Sequence, residues 1–278
     1  MNMAKATIAF QGERGSFSEE AAYQLLGRGV RVTPCETFGA LFESVTSGKS
    51  RYCLAPIENT LAGSIHENYD LLLSHELHIV GEVNLRIVHN LIAPPGATFK
   101  DITEVYSHPV ALAQCEDFFK RHPKIRKVPF YDTAGAVKML AERRPRGAAA
   151  IAGRIAAEVY HARILATHLE DHRENYTRFL LLSRRPRVSR QANKVSIVFS
   201  TRNVPGSLFK CMSVFALRDI DLTKIESRPL RGRPFEYLFY LDFRGHLKEE
   251  RCRNALSHLA EVTNFFRVLG CYESAKKQ

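Results

Sequence analysis

At 278 residues, with 45% hydrophobic and 25% charged side chains, the chain is long enough for two domains with ordinary globular cores. No apolar run approaches the roughly 20 residues that span a bilayer. The first seven residues carry no apolar leader, so a cytoplasmic protein without a membrane partner is expected. A net charge of +11 raises a nucleic-acid reading, but the arginines are dispersed and no zinc-finger, RNP or basic-zipper pattern occurs. No nucleic-acid partner is expected.

In chain order, strands are predicted at residues 7–11, 30–35, 52–57, 78–83, 86–93, 105–107, 127–131, 148–152 and 164–167. Helices are predicted between them at 18–26, 38–47, 64–74, 109–121, 134–143 and 154–160. This alternation argues for βαβ units with mainly parallel sheet. The run from 82 to 93 breaks the rhythm with two adjacent strands, as when a chain leaves one sheet and begins another. Two α/β lobes with a ligand cleft between them are therefore expected. An arginine-rich stretch holding Arg184, Arg185, Arg187 and Arg190 reads as a solvated linker. Beyond it the predicted order is strand 194–201, helix 206–217, strands 222–228 and 235–243, helix 248–261 and strand 264–271. That is a βαββαβ, ferredoxin-like unit.

Six cysteines occur without any C-x-x-C pair, and reduced structural thiols are expected. The histidines are scattered; His75 and His78 have no third ligand nearby in sequence, so no metal site is expected.

Polar residues gather where predicted strands end. Gly12 to Glu20 holds two glycines for a sharp turn, with Ser16 and Ser18 as caps whose helix start can face an anion. It lacks the lysine of a phosphate loop and the glycine spacing of a dinucleotide fold. Glu58, Asn59 and Thr60 stand at the C-terminal end of the third strand, where open α/β sheets bind ligands, and Ser64 offers another helix start. The junction at Asp132 and Thr133 is explained sufficiently as a helix start; His108 reads first as a helix start, with a place facing the cleft as the alternative. Asn175, Thr177, Arg178 and Phe179 mark the entry to an apolar strand. There a hydroxyl can donate to an oxygen gaining negative charge, and a guanidinium can fork a carboxylate. Asn203 to Leu208 turns into a helix, and Glu226 to Pro229 ends a strand.

Taken together and in this order, these motifs resemble prephenate dehydratase followed by its regulatory ACT domain, over about residues 5–272. The segments 64–73 and 107–115 look especially like the arogenate dehydratases of plants. The resemblance implies a periplasmic-binding-protein-like catalytic module at 5–184, a linker at 185–193 and an ACT domain at 194–272. It implies conversion of prephenate to phenylpyruvate with loss of water and carbon dioxide, without a cofactor, on the route to phenylalanine.

By the same match Thr177, Arg178, Glu58 and Asn59 form the catalytic set, and Ser16, Thr60, Ser64, Asn175 and Phe179 meet the substrate. Thr177 assists the leaving hydroxyl. A threonine hydroxyl is a very weak acid, so a positioned hydrogen bond is expected rather than full proton donation. Phenylalanine is the implied effector, bound by Asn203, Gly206, Ser207, Leu208, Glu226, Ser227 and Arg228 in a homo-oligomer, a dimer or tetramer. The family usually has Ser at Thr60 and commonly Ala at Ser207. Two alternatives stand beside this reading: an arogenate dehydratase that makes L-phenylalanine directly, and a non-catalytic sensor of amino or keto acids.

Overall fold

The computed structural model describes residues 7–230, 232 and 235–276. It divides into two units, one holding residues 7–75 and 83–180 of those described, the other 76–82 and 181–276.

In chain order the first unit runs β1 (Thr7–Gln11), α1 (Phe17–Leu26), β2 (Arg31–Cys35), α2 (Phe38–Thr46), β3 (Tyr52–Asn59), β4 (Gly63–Ser64) and α3 (His66–Ser74). β5 (His78–Arg86) begins in the second unit and ends in the first. Then come β6 (Asn90–Ala93), β7 (Glu104–Ser107), α4 (Pro109–Ala113), α5 (Glu116–Arg121), β8 (Arg126–Pro129) and α6 (Thr133–Arg143). β9 (Ala148–Ala152), α7 (Arg154–Val159), β10 (Arg163–Ala166) and β11 (Tyr176–Ser183) follow, with β11 leaving this unit after Leu180.

Two lobes result. One sheet has the order β5-β11-β3-β1-β2, with β1 parallel to both β2 and β3. The other has the order β10-β6-β9-β7-β8, with β7 parallel to β8 and β9 while β6 runs antiparallel to β9 and β10. The chain crosses between them at β5–β6 and returns at β10–β11, where the broken alternation places a change of sheet. β2 and β8 carry Pro34 and Pro129, and both are edge strands, where a missing N–H costs no ladder bond. β9 is five buried residues, AAAIA, whose small side chains admit α6 close against the sheet.

Two helix expectations change. The helix predicted at 109–121 is two short ones, α4 and α5, broken where Cys115 takes a non-helical backbone (φ −122°, ψ 34°). Asp171 receives the new helix start, accepting from Glu116 N at 2.8 Å and Asp117 N at 3.0 Å. The helix predicted from Ser64 begins at His66, because Gly63 and Ser64 pair back onto Asn59 and Glu58 as β4.

The second unit continues β12 (Lys194–Ser200), α8 (Ser207–Ala216), β13 (Leu222–Pro229), β14 (Tyr237–Arg244), α9 (Glu250–Val262) and β15 (Phe265–Tyr272). Its strands lie in the order β13-β14-β12-β15, all neighbours antiparallel, which is the ferredoxin-like arrangement of a βαββαβ chain. Val195, Ile197, Phe199, Leu241 and Phe243 meet Cys211, Val214, Phe215 and Leu259 of the two helices in one core. The first half of β5 lies parallel to β15, Ile79 opposite Gly270, where a Cβ on Gly270 would come within 2.2 Å of the Ile79 carbonyl. Lys194 pairs with Glu82 at 3.0 Å, both nearly buried.

All six cysteines are free thiols. Among the described residues no helix is long and apolar enough to cross a membrane.

Candidate active site

A cleft of about 460 Å³ opens in the first unit, lined from both lobes: Asn59, Ser64, Thr177 and Phe179 from one, His89, His108, Gln114, Asp132 and Thr133 from the other. Gln11 before the turn that follows β1, and Phe17 and Ser18 after it, also line the cleft; Ser16, inside the turn, does not. Gly12 (φ +113°) and Gly15 (φ +82°) hold backbone that side-chain-bearing residues avoid, and a Cβ on Gly15 would lie 2.7 Å from Ala156 Cα. Ser16 caps α1 by accepting from Glu19 N at 3.4 Å. The fully buried Glu19 accepts from Gly15 N (2.6 Å), Arg14 Nε (2.9 Å) and Tyr23 Oη (2.7 Å), which fixes the turn.

Asn59 organises the centre. Its Oδ1 accepts from Leu61 N (3.0 Å) and Ala62 N (2.8 Å), so the amide can stand only one way. Nδ2 is therefore turned toward β11, where its two hydrogens are shared among three acceptors: Asn175 Oδ1 (2.8 Å), Tyr176 O (3.1 Å) and Thr177 Oγ1 (3.0 Å). An amide NH2 has no acceptor capacity, so Thr177 Oγ1 receives that bond and keeps its own proton for whatever lies in the cleft. Thr60 reinforces the junction: Thr60 Oγ1 donates to Glu174 O at 2.6 Å and accepts from Tyr176 N at 3.0 Å.

The network reaches into the other lobe through Gln114, the residue that ends α4. Asn175 Nδ2 donates to Gln114 Oε1 (2.9 Å), and His89 Nε2 lies 3.0 Å from the same oxygen. Since Oε1 only accepts, His89 carries its proton on Nε2 and Nδ1 is bare; buried, Nδ1 has no hydrogen-bond partner among the described residues. Burial holds the His89 imidazole below its ordinary pKa, partly offset by the bond to Gln114. Oε1 is thus doubly engaged, and Gln114 is among the residues that line the cleft. Asp132 caps α6 through Gly135 N at 2.8 Å, and burial raises its carboxyl above the usual range.

The structure places the sequence-derived residues unevenly. Asn59, Ser64, Thr177 and Phe179 line the cleft, while Asn175 and Thr60 brace it from behind. Thr177 and Phe179 are two apart on β11 and share a face; Arg178, between them, is absent from the cleft lining and has Nη1 3.3 Å from Glu58 Oε1. Ser64 reaches the cleft from a hairpin rather than from a helix start, a correction caused by the Glu58–Ser64 pairing. Sequence reasoning missed Gln114 and His89 and gave Asp132 only a capping role. His108 is a helix start, accepting from Val110 N at 3.3 Å, and it also lines the cleft.

In the second unit Gly206 (φ +79°) precedes α8, and Ser207 Oγ lies 3.3 Å from Thr201 Oγ1. Asn203 is exposed in the turn before α8, and Leu208 packs against the core. On the edge strand β13 burial alternates, so Glu226 and Arg228 share one face and Ser227 takes the other; Glu226 lies 3.6 Å from Lys224 Nζ.

A two-lobed α/β module with a cleft furnished by hydroxyl, amide and imidazole groups, joined to a ferredoxin-like unit, is the class these features define. Residues 8–187 match the family described as prephenate dehydratase, and the chain belongs to that family. It is 46% identical over 282 residues to "Arogenate dehydratase/prephenate dehydratase 2, chloroplastic" of Arabidopsis thaliana, a match spanning 98% of this chain and 74% of that one. Among solved structures, the prephenate dehydratase of Arthrobacter aurescens in complex with L-Phe superposes with a TM-score of 0.89 at 32% identity, over 98% of this chain and 91% of the other. A protein described as GqqA, a quorum quenching acylase, superposes with a TM-score of 0.90 at 32% identity, over 96% and 98%.

Proposed function

We propose that the chain takes prephenate to phenylpyruvate, releasing water and carbon dioxide, with the cleft of the first unit as its active site. The observation that carries this reading is the orientation of Thr177: Asn59 donates to its oxygen and leaves its proton to meet a departing one. In the reaction the bond between the ring and its carboxylate carbon breaks, and its electron pair forms the last ring double bond. The ring C–O bond breaks with the hydroxide, which takes up one proton and leaves as water. Aromatisation drives the step, so no cofactor is needed. Thr177 stabilises charge growing on the leaving oxygen. Arg178, paired with Glu58, holds the β3–β11 framework that carries Asn59 and Thr177.

A second reading, arogenate to L-phenylalanine, has its own support in the Arabidopsis relative, whose name carries both activities. Either reaction makes the protein a carbon–oxygen lyase.

The catalytic module spans residues 5–184 and a linker 185–193 in this proposal, and residues 194–272 form an ACT domain that binds L-phenylalanine. The Arthrobacter structure, a complex with L-Phe, supports the effector. Asn203, Gly206, Ser207 and Leu208 before and within α8, with Glu226, Ser227 and Arg228 of β13, form its site in a homo-oligomer. Binding there regulates only by favouring one arrangement of the catalytic module. The proposal places the protein in the cytoplasm, which cell fractionation tests.

The central test is turnover by Thr177→Ser, Thr177→Ala and Thr177→Val. The serine variant retains far more activity than the other two; near-normal rates in all three overturn the proposed role. Calorimetry that detects no phenylalanine binding removes the regulatory part.

A further inference from the structure

The cleft is short of positive charge. Among the described residues that line it there is no lysine and no arginine, yet Asp132 is there, its carboxylate on the cleft wall. Oδ1 accepts from Gly135 N, and no side chain among the described residues donates to either oxygen. The carboxylate stands against the turn after β1: the Cβ that any other residue would carry at Gly12 lies 3.2 Å from Asp132 Oδ2. His89 lines the same cleft, but its Nδ1 is buried away from it and adds no acceptor there.

An unpaired carboxylate makes a demand on the ligand. Prephenate is a dianion whose one hydrogen-bond donor is its ring hydroxyl. Closing it into this cleft brings its carboxylates near that of Asp132, and like charges brought together in a buried site are costly. Arogenate differs by an α-ammonium in place of the keto oxygen. It carries one negative charge less and three further N–H donors.

We infer that Asp132 is a specificity-determining residue that accepts a hydrogen bond from the α-ammonium of arogenate and so admits the amino acid form of the substrate to this cleft. The inference rests on the dehydratase reading above and names the group that discriminates between its two substrates. The same carboxylate caps α6, so one side chain both starts the helix and offers a charge to the ligand. Burial has already raised its carboxyl pKa, so an adjacent ammonium restores the charged form that burial disfavours.

The test compares kcat/KM for arogenate and for prephenate in the full chain and in Asp132→Asn, with thermal melting run alongside. Asparagine retains the capping oxygen and removes the charge. Asp132→Ser is the second variant, keeping a cap with a shorter reach. The expected result is a fall of about tenfold or more in the arogenate-to-prephenate ratio in both variants, carried mainly by KM for arogenate. An unchanged ratio in folded variants overturns the inference while leaving the dehydratase reading intact. So does a wild-type protein that turns over prephenate and not arogenate. A wild-type protein that turns over neither overturns the dehydratase reading itself.

Discussion

Replacing Asn59 by aspartate tests the logic of the site with a change of one atom. Oδ1 still accepts from Leu61 N and Ala62 N. The second oxygen then stands where Nδ2 stood, 2.8 Å from Asn175 Oδ1 and 3.1 Å from Tyr176 O, and two hydrogen bonds become contacts between acceptors. Each lost partner of a buried group costs about 1–3 kcal/mol, so Asn59→Asp is destabilised by roughly 2–5 kcal/mol after relaxation. The catalytic consequence is separate. A carboxylate oxygen 3.0 Å from Thr177 Oγ1 draws the hydroxyl proton toward itself and away from the cleft. Losing one positioned donor to a developing oxyanion costs on the order of 10²–10³ in kcat. Because that donor acts in the transition state, kcat and kcat/KM should fall together while KM stays near its starting value. Steady-state formation of phenylpyruvate or phenylalanine, measured where circular dichroism shows the variant folded, reads this directly. A folded Asn59→Asp protein with kcat within about threefold of wild type refutes the assignment of Thr177 as the donor.

Three further outcomes follow from the same geometry. Gly15→Ala forces a Cβ against the Ala156 backbone at a left-handed φ, so stability should drop by about 1–3 kcal/mol, seen as a lower melting temperature; an unchanged one contradicts the close approach. Lys194→Met removes the ammonium from Glu82, whose side chain is 3% exposed, and should cost about 3–5 kcal/mol in chemical denaturation, whereas a neutral result means solvent reaches the pair. His89 sets a pH dependence. Its folded pKa is depressed, so the unfolded chain takes up a proton that the folded one refuses; its contribution to stability is complete above about pH 6.5 and is lost as the pH falls from there toward the folded value. Urea titrations across that range should show a shallower decline for His89→Gln, and equal slopes in the two proteins would rule this out.

The polar ends of the strands were legible because turn chemistry is local. Gly12, Gly15 and Ser16 announce a tight strand-to-helix turn within five residues, and it forms there. The βαββαβ order of the second unit and the change of sheet near residue 87 also follow from apolar periodicity, which each segment carries by itself. Ser64 shows the limit: its helix-start pattern loses to a two-residue pairing with Glu58 and Asn59.

What periodicity cannot supply is the partner of each polar group. Asn59 meets Asn175 across 116 residues, and Asn175 meets Gln114 across 61. Gln114 lies where the helix predicted around it breaks at Cys115, and Asp171, 55 residues beyond Glu116, stabilises that break. Strand alternation places Arg178 with Nη1 3.3 Å from Glu58 Oε1, while its neighbours Thr177 and Phe179 line the cleft, a pairing that no local pattern announces. The chain itself determined which groups are available, since their donors, acceptors and charges are properties of single side chains. Tertiary packing decided which of them face one another, because a hydrogen bond depends on distances of a few ångströms that only the closed fold sets.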